Sequence, residues 1–165
     1  MSHSQQDSNF VAMEKSILKA WDDNDIVAKS LSANKGAELF RFVEGPPTAN
    51  GSPGVHHVYA RVVKDLFLRY KSMRGYYVPR KSGWDCHGLP VEISVEKELN
   101  FQNKASIETY GVEKFNNACR SSVFSHIDEW AEMTKRVGFF IDLATPYTTM
   151  DPHYIESVWW SLKRL

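Results

Sequence analysis

Along most of this chain apolar residues return every third or fourth position, the spacing that lines one face of a helix. Phe10, Met13, Ile17 and Trp21 mark such a face between Gln6 and Asp22, and Ile26, Val27 and Leu31 mark a shorter one after Asp23-Asn24-Asp25. Asn34-Lys35-Gly36 breaks this helical lead-in. Leu39 to Val43 is then a bulky run of strand length, and Tyr76 to Pro79 is a second. Between them Val55, Val58, Val62, Leu66, Tyr70 and Met73 form one stripe, expected to face the core, on a helix closed by Lys71, Arg74 and Gly75. Residues 39–79 therefore predict a strand–helix–strand unit, parallel and right-handed within a single sheet.

Further along, Gly88-Leu89-Pro90 opens a helix carrying Val91, Val95 and Leu99. Val112, Phe115, Cys119, Val123, Ile127, Trp130 and Val137 mark a longer helix, and Asp151-Pro152 opens a last one with Ile155, Val158, Trp159 and Leu162. Neither cap, glycine nor polar tail follows its tryptophans, so the expectation is a chain truncated at Leu165. The expected division is a helical extension at 1–36 and the first part of an α/β domain at 37–165.

Composition narrows little: 165 residues, 42% hydrophobic, with zero formal net charge, fit a soluble domain with its own core. The neutral total hides a basic stretch, since residues 54–81 hold Arg61, Lys64, Arg69, Lys71, Arg74, Arg80 and Lys81 against one acid, Asp65. That stretch reads either as a surface for polyphosphate or nucleic acid or as a solvated helix face. Cys86 and Cys119 lack a CxxC partner, which excludes a disulfide framework or zinc knuckle and fits a reducing cytosol. The polar N-terminus carries no export or organelle pattern and no run reaches membrane-spanning length, so a cytoplasmic chain without a membrane partner is expected.

Two loops carry the chemistry. Gly45, Pro46, Pro47, Gly51 and Gly54 shape a turn that opens a helix at Val55-His56-His57, where free N–H groups and the positive dipole end welcome an anion. Adjacent helical histidines point about 100° apart, so His56 and His57 cannot share a metal ion as residues four apart can. No metal site is predicted. A histidine in that first turn either donates to a phosphate oxygen or simply packs. In the second loop, Gly83-Trp84-Asp85-Cys86-His87-Gly88, Asp85 suits a charge-assisted bond to an ammonium group or an Asx-turn. Both loops follow expected strands, where ligands of parallel sheets bind.

These two strings, with Lys64-Asp65, Arg69 to Arg80, Leu89 to Glu92 and Tyr154 to Trp160, resemble the start of the class I aminoacyl-tRNA synthetases, from about residue 10 to the end. The string Trp-Asp-Cys-His-Gly-Leu-Pro is most similar to the isoleucine branch; leucine enzymes usually show Tyr-Pro-Ser-Gly in the first loop, and valine enzymes Thr-Asp-His-Ala-Gly in the second. The resemblance implies a Rossmann-type parallel sheet that activates L-isoleucine with ATP and Mg²⁺ and charges tRNA(Ile), as a monomer when full length. By the same resemblance Gly45, Pro46, Pro47 and Trp84 lie along the isoleucine, and Asp85 holds its ammonium group. Asn50, Gly51 and Gly54 lie on the nucleotide side, and His57 with His56 meets the phosphates. The editing insertion, a Lys-Met-Ser-Lys-Ser signature and the anticodon-binding region are expected beyond residue 165, so this segment alone is not expected to charge tRNA.

One departure stands out. Where the family has His-Ile-Gly-His, this chain has Gly54-Val55-His56-His57, and only His57 keeps its place. The expectation is a rearranged working site in which His56 takes over for the missing histidine, with altered response to inhibitors of that site. The alternatives are a non-catalytic binding module derived from a synthetase, or a valine or leucine enzyme.

Overall fold

A computed structural model describes residues 9–165, so Gln6 to Ser8 of the first expected helix lie outside the described residues. In chain order the elements are α1 (Phe10–Asp23), α2 (Ile26–Ser32), α3 (Val55–Met73), β1 (Lys81–Trp84), α4 (Leu89–Glu98), α5 (Lys104–Tyr110), α6 (Val112–Val123), α7 (Ile127–Arg136), β2 (Asp142–Thr148) and α8 (Pro152–Arg164). Asn9 caps α1 by accepting from Ala12 N, and Asp151 caps α8 by accepting from His153 N.

The sheet differs from the expected one in place, not in sense. β1 and β2 pair in parallel through Lys81 and Asp142, Gly83 and Tyr147, and Trp84 and Thr148, with a bulge after Lys81. The expected strands at 39–43 and 76–79 shrink to one parallel bridge, in which Phe40 N donates to Tyr77 O and Tyr77 N to Glu38 O, both at 2.9 Å. Beyond Phe40 no described strand lies alongside, and Val43 is 84% exposed. Pro79 has no N–H to offer a ladder, so regular pairing waits until Lys81. Gly83 is required there: a Cβ on it would sit 2.4 Å from the Tyr147 ring.

Helices differ too. The long helix expected over 112–137 is broken between Val123 and Ile127, where Ser125 Oγ donates to Ser122 O and Ile127 N reaches back to Phe124 O. Such local side-chain bonds compete with helix continuation. An unforeseen helix, α5, starts at Asn103, whose side chain accepts from Ser106 N, and ends at Gly111 with φ 104°.

The stripe expected to be core on α3 is instead turned outward: Val55 is 85% and Met73 86% exposed, and Val62, Leu66 and Tyr70 are exposed with them. The face of α3 that packs carries Arg61 and Leu68. Arg80 is buried and donates to the carbonyls of Phe140 and Leu68, while Arg69 reaches Asp65 and the carbonyl of Gly138. The basic stretch therefore turns Arg61, Lys64, Arg69 and Arg80 to internal partners, so it is not a uniform basic surface.

One buried cluster joins Ala49, Trp84, Cys86, Val91, Val123 and Trp130; another joins Leu68, Val78, Phe139 and Ile141. The first sits directly behind both chemistry-bearing loops. Cys86 and Cys119 are free thiols. No helix among the described residues is long and apolar enough to cross a membrane.

Candidate active site

The loop from Glu44 to Ser52, the first three turns of α3, Pro90 and Trp130 line an open cavity of about 400 Å³. Its position follows from backbone pairing: Asp85 N, one residue past β1, donates to Pro47 O at 2.9 Å, which draws the two loops together. Asn50 ties the first loop to α4, donating to Pro90 O at 2.9 Å. Trp130 ties it to α7, its indole N–H donating to Gly51 O at 2.8 Å.

His57 closes the N-terminal turn of α3. Its Nδ1 accepts from Gly54 N at 2.9 Å while its own N–H donates to Gly54 O at 3.0 Å. An accepting Nδ1 carries no proton, so the neutral ring holds its proton on Nε2, where it is free to be donated. The ring lies 4.5 Å from that of Trp130. Burial, then His56, then Arg61 push the His57 pKa below its ordinary 6.5. A depressed histidine pKa contributes stability that is present above pH 6.5 and lost as pH falls through the folded-state value. An NMR titration is expected to place His57 below 6.5; a midpoint at or above it would show that burial and the neighbouring His56 and Arg61 do not act on the ring as described.

His56 is exposed, but its ring lies 3.8 Å from that of His57 and folds back over Gly54. A Cβ at position 54 would meet His56 Cε1 at 3.0 Å and Nδ1 at 3.1 Å. Glycine at 54 and histidine at 56 are therefore coupled: the imidazole occupies the space into which a side chain at 54 would project.

Asp85 sits at the carboxyl end of β1 with its carboxylate held by neutral hydroxyls. Thr48 Oγ1 donates to Oδ2 at 3.2 Å, and Thr149 Oγ1 lies 3.4 Å from Oδ1. Thr149 follows β2 directly and also accepts from Cys86 N at 2.8 Å. No cation pairs with Asp85 among the described residues.

On the other side of the cavity Lys64 pairs with the buried carboxylate of Glu44 at 2.6 Å, whose second oxygen has no protein partner. Tyr147 donates to Glu44 O at 2.7 Å, fixing that backbone from β2. Glu44 is the one acid on the wall and is already held, and no group of three or more His, Cys, Asp or Glu side chains gathers as ligands among the described residues. The residues present do not fit an Mg²⁺ site, and none is assigned to hold that ion.

The match to known families decides the class. Residues 16–165 match the family of tRNA synthetases class I (I, L, M and V). The chain belongs to this class I synthetase family. Its similar relatives include the isoleucine–tRNA ligase of Streptomyces avermitilis, 57% identical over 154 residues that cover 93% of this chain and 15% of that protein. Another is that of Clostridium kluyveri, 55% identical over 157 residues, 95% of this chain and 15% of that protein. The chain thus spans about 15% of the length of these curated relatives. Among solved structures, the LeuRS of Agrobacterium radiobacter K84 in a ternary complex with tRNA and LeuAMS superposes with a TM-score of 0.59 at 21% identity, covering 92% of this chain and 17% of that one. The fold is that of a class I synthetase, and the parallel pairings are part of its incomplete Rossmann-like sheet.

Of the residues predicted from the sequence of this synthetase chain, Gly45, Pro47, Asn50, Gly51 and His57 line the cavity. Pro46, Gly54, His56 and Asp85 flank it without forming its wall, and Trp84, 5% exposed, is turned into the core behind Asp85. Glu44, Arg61, Lys64, Trp130 and Thr149 were not predicted as site residues. Arg61 and Lys64, four and seven residues beyond His57 on α3, were the ones with a readable helical signal.

Proposed function

We propose that the protein containing this chain activates L-isoleucine with ATP, forming isoleucyl-adenylate and pyrophosphate, and passes isoleucine to tRNA(Ile). What carries this reading is the juxtaposition of a helix N-terminus bearing a neutral, Nε2-protonated His57 with a carboxylate, Asp85, that has no cationic partner, in a chain whose relatives are named isoleucine–tRNA ligases. One end suits polyphosphate and the other an ammonium group.

In the activation step a carboxylate oxygen of isoleucine bonds to the α-phosphorus, the bond to the bridging oxygen breaks, and pyrophosphate leaves with the electron pair. Positioning and charge stabilisation supply most of the rate. Asp85 binds the ammonium group, and Gly45, Pro46 and Pro47 border the aliphatic side chain, with Trp84 packed behind. His57 donates from Nε2 to phosphate, and His56 serves in place of the histidine absent at Gly54. Asn50 and Gly51 act through the loop shape they hold, since the Asn50 amide is engaged by Pro90 and the Gly51 carbonyl by Trp130. Mg²⁺ would accompany the triphosphate. Residues 1–36 serve as a lead-in to a catalytic domain that begins with 37–165, in a cytoplasmic enzyme that works as a monomer.

The test is ATP–pyrophosphate exchange by the full-length product of the gene, with isoleucine against valine or leucine. Exchange driven best by isoleucine is expected; exchange driven best by another amino acid, or none at all, would replace this reading with a different synthetase or a binding module. In the same assay His56→Ala is expected to slow exchange, and an unchanged rate would remove His56 from the site.

A further inference from the structure

The cavity wall contains a buried cation to which the mechanism above gives no task. Arg61 is 6% exposed and lies one helical turn after His57. Its Nε donates to Thr134 Oγ1 at 3.1 Å, its Nη1 reaches His57 O at 3.4 Å, and its guanidinium lies 4.9 Å from the centre of the Trp130 ring. Thr134 in turn donates its proton to Trp130 O at 2.7 Å, so the lone pair it offers Arg61 is fixed in direction. The guanidinium is held rigidly, yet every acceptor it has among the described residues is neutral.

Charge makes the omission informative. Glu44 is the one acid on the wall, and Lys64 holds it at 2.6 Å. With His57 neutral, Arg61 and Lys64 stand against Glu44, leaving one positive charge in excess around the cavity. Nη2 of Arg61 has no acceptor among the described residues. Burial pushes the Arg61 pKa down, an effect Glu44 only partly offsets. A desolvated guanidinium that shares its one nearby anion, Glu44, with Lys64 is an expensive arrangement that an added anionic ligand relieves.

We propose that Arg61 binds the pyrophosphate end of ATP, supplying from the second turn of α3 part of the positive charge that this chain's Gly54 cannot supply. The inference rests on the ATP-dependent reading above. The planar fork suits two phosphate oxygens, and Nη2 is the free prong. As the bond from the α-phosphorus to its bridging oxygen breaks, negative charge gathers on the departing pyrophosphate, where a prepositioned cation stabilises it most. No proton needs to move to or from Arg61.

The experiment compares full-length wild type, Arg61→Gln and Arg61→Lys. Binding of inorganic tripolyphosphate is measured by calorimetry, and exchange kinetics are taken with ATP and isoleucine varied separately. Arg61→Gln is expected to lose tripolyphosphate binding and to lower kcat/KM for ATP by roughly 100-fold or more, leaving the KM for isoleucine near wild type. Arg61→Lys, which keeps the charge but not the fork, is expected to recover part of both. Circular dichroism and thermal melting show whether each variant is folded. A folded Arg61→Gln with unchanged tripolyphosphate affinity would overturn the proposal, and so would a folded Arg61→Lys as impaired as Arg61→Gln, since packing geometry rather than charge would then explain the loss. Wild type that binds tripolyphosphate but shows no amino-acid-dependent exchange would instead overturn the synthetase reading and leave the anion site standing.

Discussion

Asp85→Ala in the full-length protein is expected to weaken isoleucine binding by about 100-fold or more while ATP affinity stays nearly unchanged, because a charge-assisted bond to a desolvated ammonium group is lost. The geometry explains why the effect falls on one substrate. Asp85 is not among the residues that line the cavity where His57, Arg61 and Lys64 stand. Its carboxylate is oriented by Thr48 and Thr149, hydroxyls that point it without neutralising it. The Asx-turn contact of the alternative reading is present, His87 N to Oδ1 at 3.4 Å, as long as the Thr149 contact, and like it leaves the carboxylate charge unneutralised. Asp85→Asn separates charge from shape, since it keeps an acceptor for Thr48 but not the negative charge. Equilibrium dialysis with isoleucine is expected to find Asp85→Asn nearly as weak as Asp85→Ala. Isoleucine affinity retained in Asp85→Asn would make the residue a loop-shaping one.

Much of the helical layout was legible because helices announce themselves locally. The lead-in helices, α3, α4 and α8 all follow from apolar spacing and caps such as Asp151. The sheet was not, because its strands are specified by partners distant in sequence. Lys81-Ser82-Gly83-Trp84 has no alternation to detect; it is a strand because Tyr147 needs the bare backbone of Gly83 to lie against. β2 carries Pro146 and, between Asp142 and Tyr147, the extra residues of the register shift, which hide its pattern as well. The outward stripe of α3 failed for another reason: spacing identifies a face but not which face the tertiary structure buries, and here Arg61 and Leu68 are taken inward instead. The loops were readable as sites because Pro, Gly and paired histidines are rare in slack chain, whereas Thr149 and Trp130 enter from far along the sequence. Their contributions exist only once β2 and α7 are in place.

Trp130 is where the core and the site are the same object, and Trp130→Ala is expected to be the most damaging single change to the fold. The side chain is 2% exposed and packs with Ala49, Trp84, Cys86, Val91 and Val123. Truncating a buried tryptophan to alanine costs about 3–5 kcal/mol. Set against a typical domain stability of about 5–15 kcal/mol, that is enough to leave this region partly open. The loss also reaches the chemistry by three routes: the indole N–H holds Gly51 O at 2.8 Å, the ring flanks His57 at 4.5 Å, and it lies under Arg61 at 4.9 Å. Trp130→Phe dissects these, keeping most of the packing and an aromatic face for Arg61 while removing the N–H. Its stability penalty is expected to be near 1 kcal/mol for the lost hydrogen bond. The loop from Glu44 to Ser52 is then released from α7, so amide hydrogen exchange over residues 45–52 is expected to quicken and the KM for ATP to rise. The KM for isoleucine should change less, because Asp85 is positioned by Thr48 and Thr149. Unaltered exchange protection of that loop in Trp130→Phe would confine Trp130 to packing, and the cavity would then owe its shape to the Pro47 carbonyl bond, to Asn50 and to the Tyr147 and Lys64 bonds to Glu44.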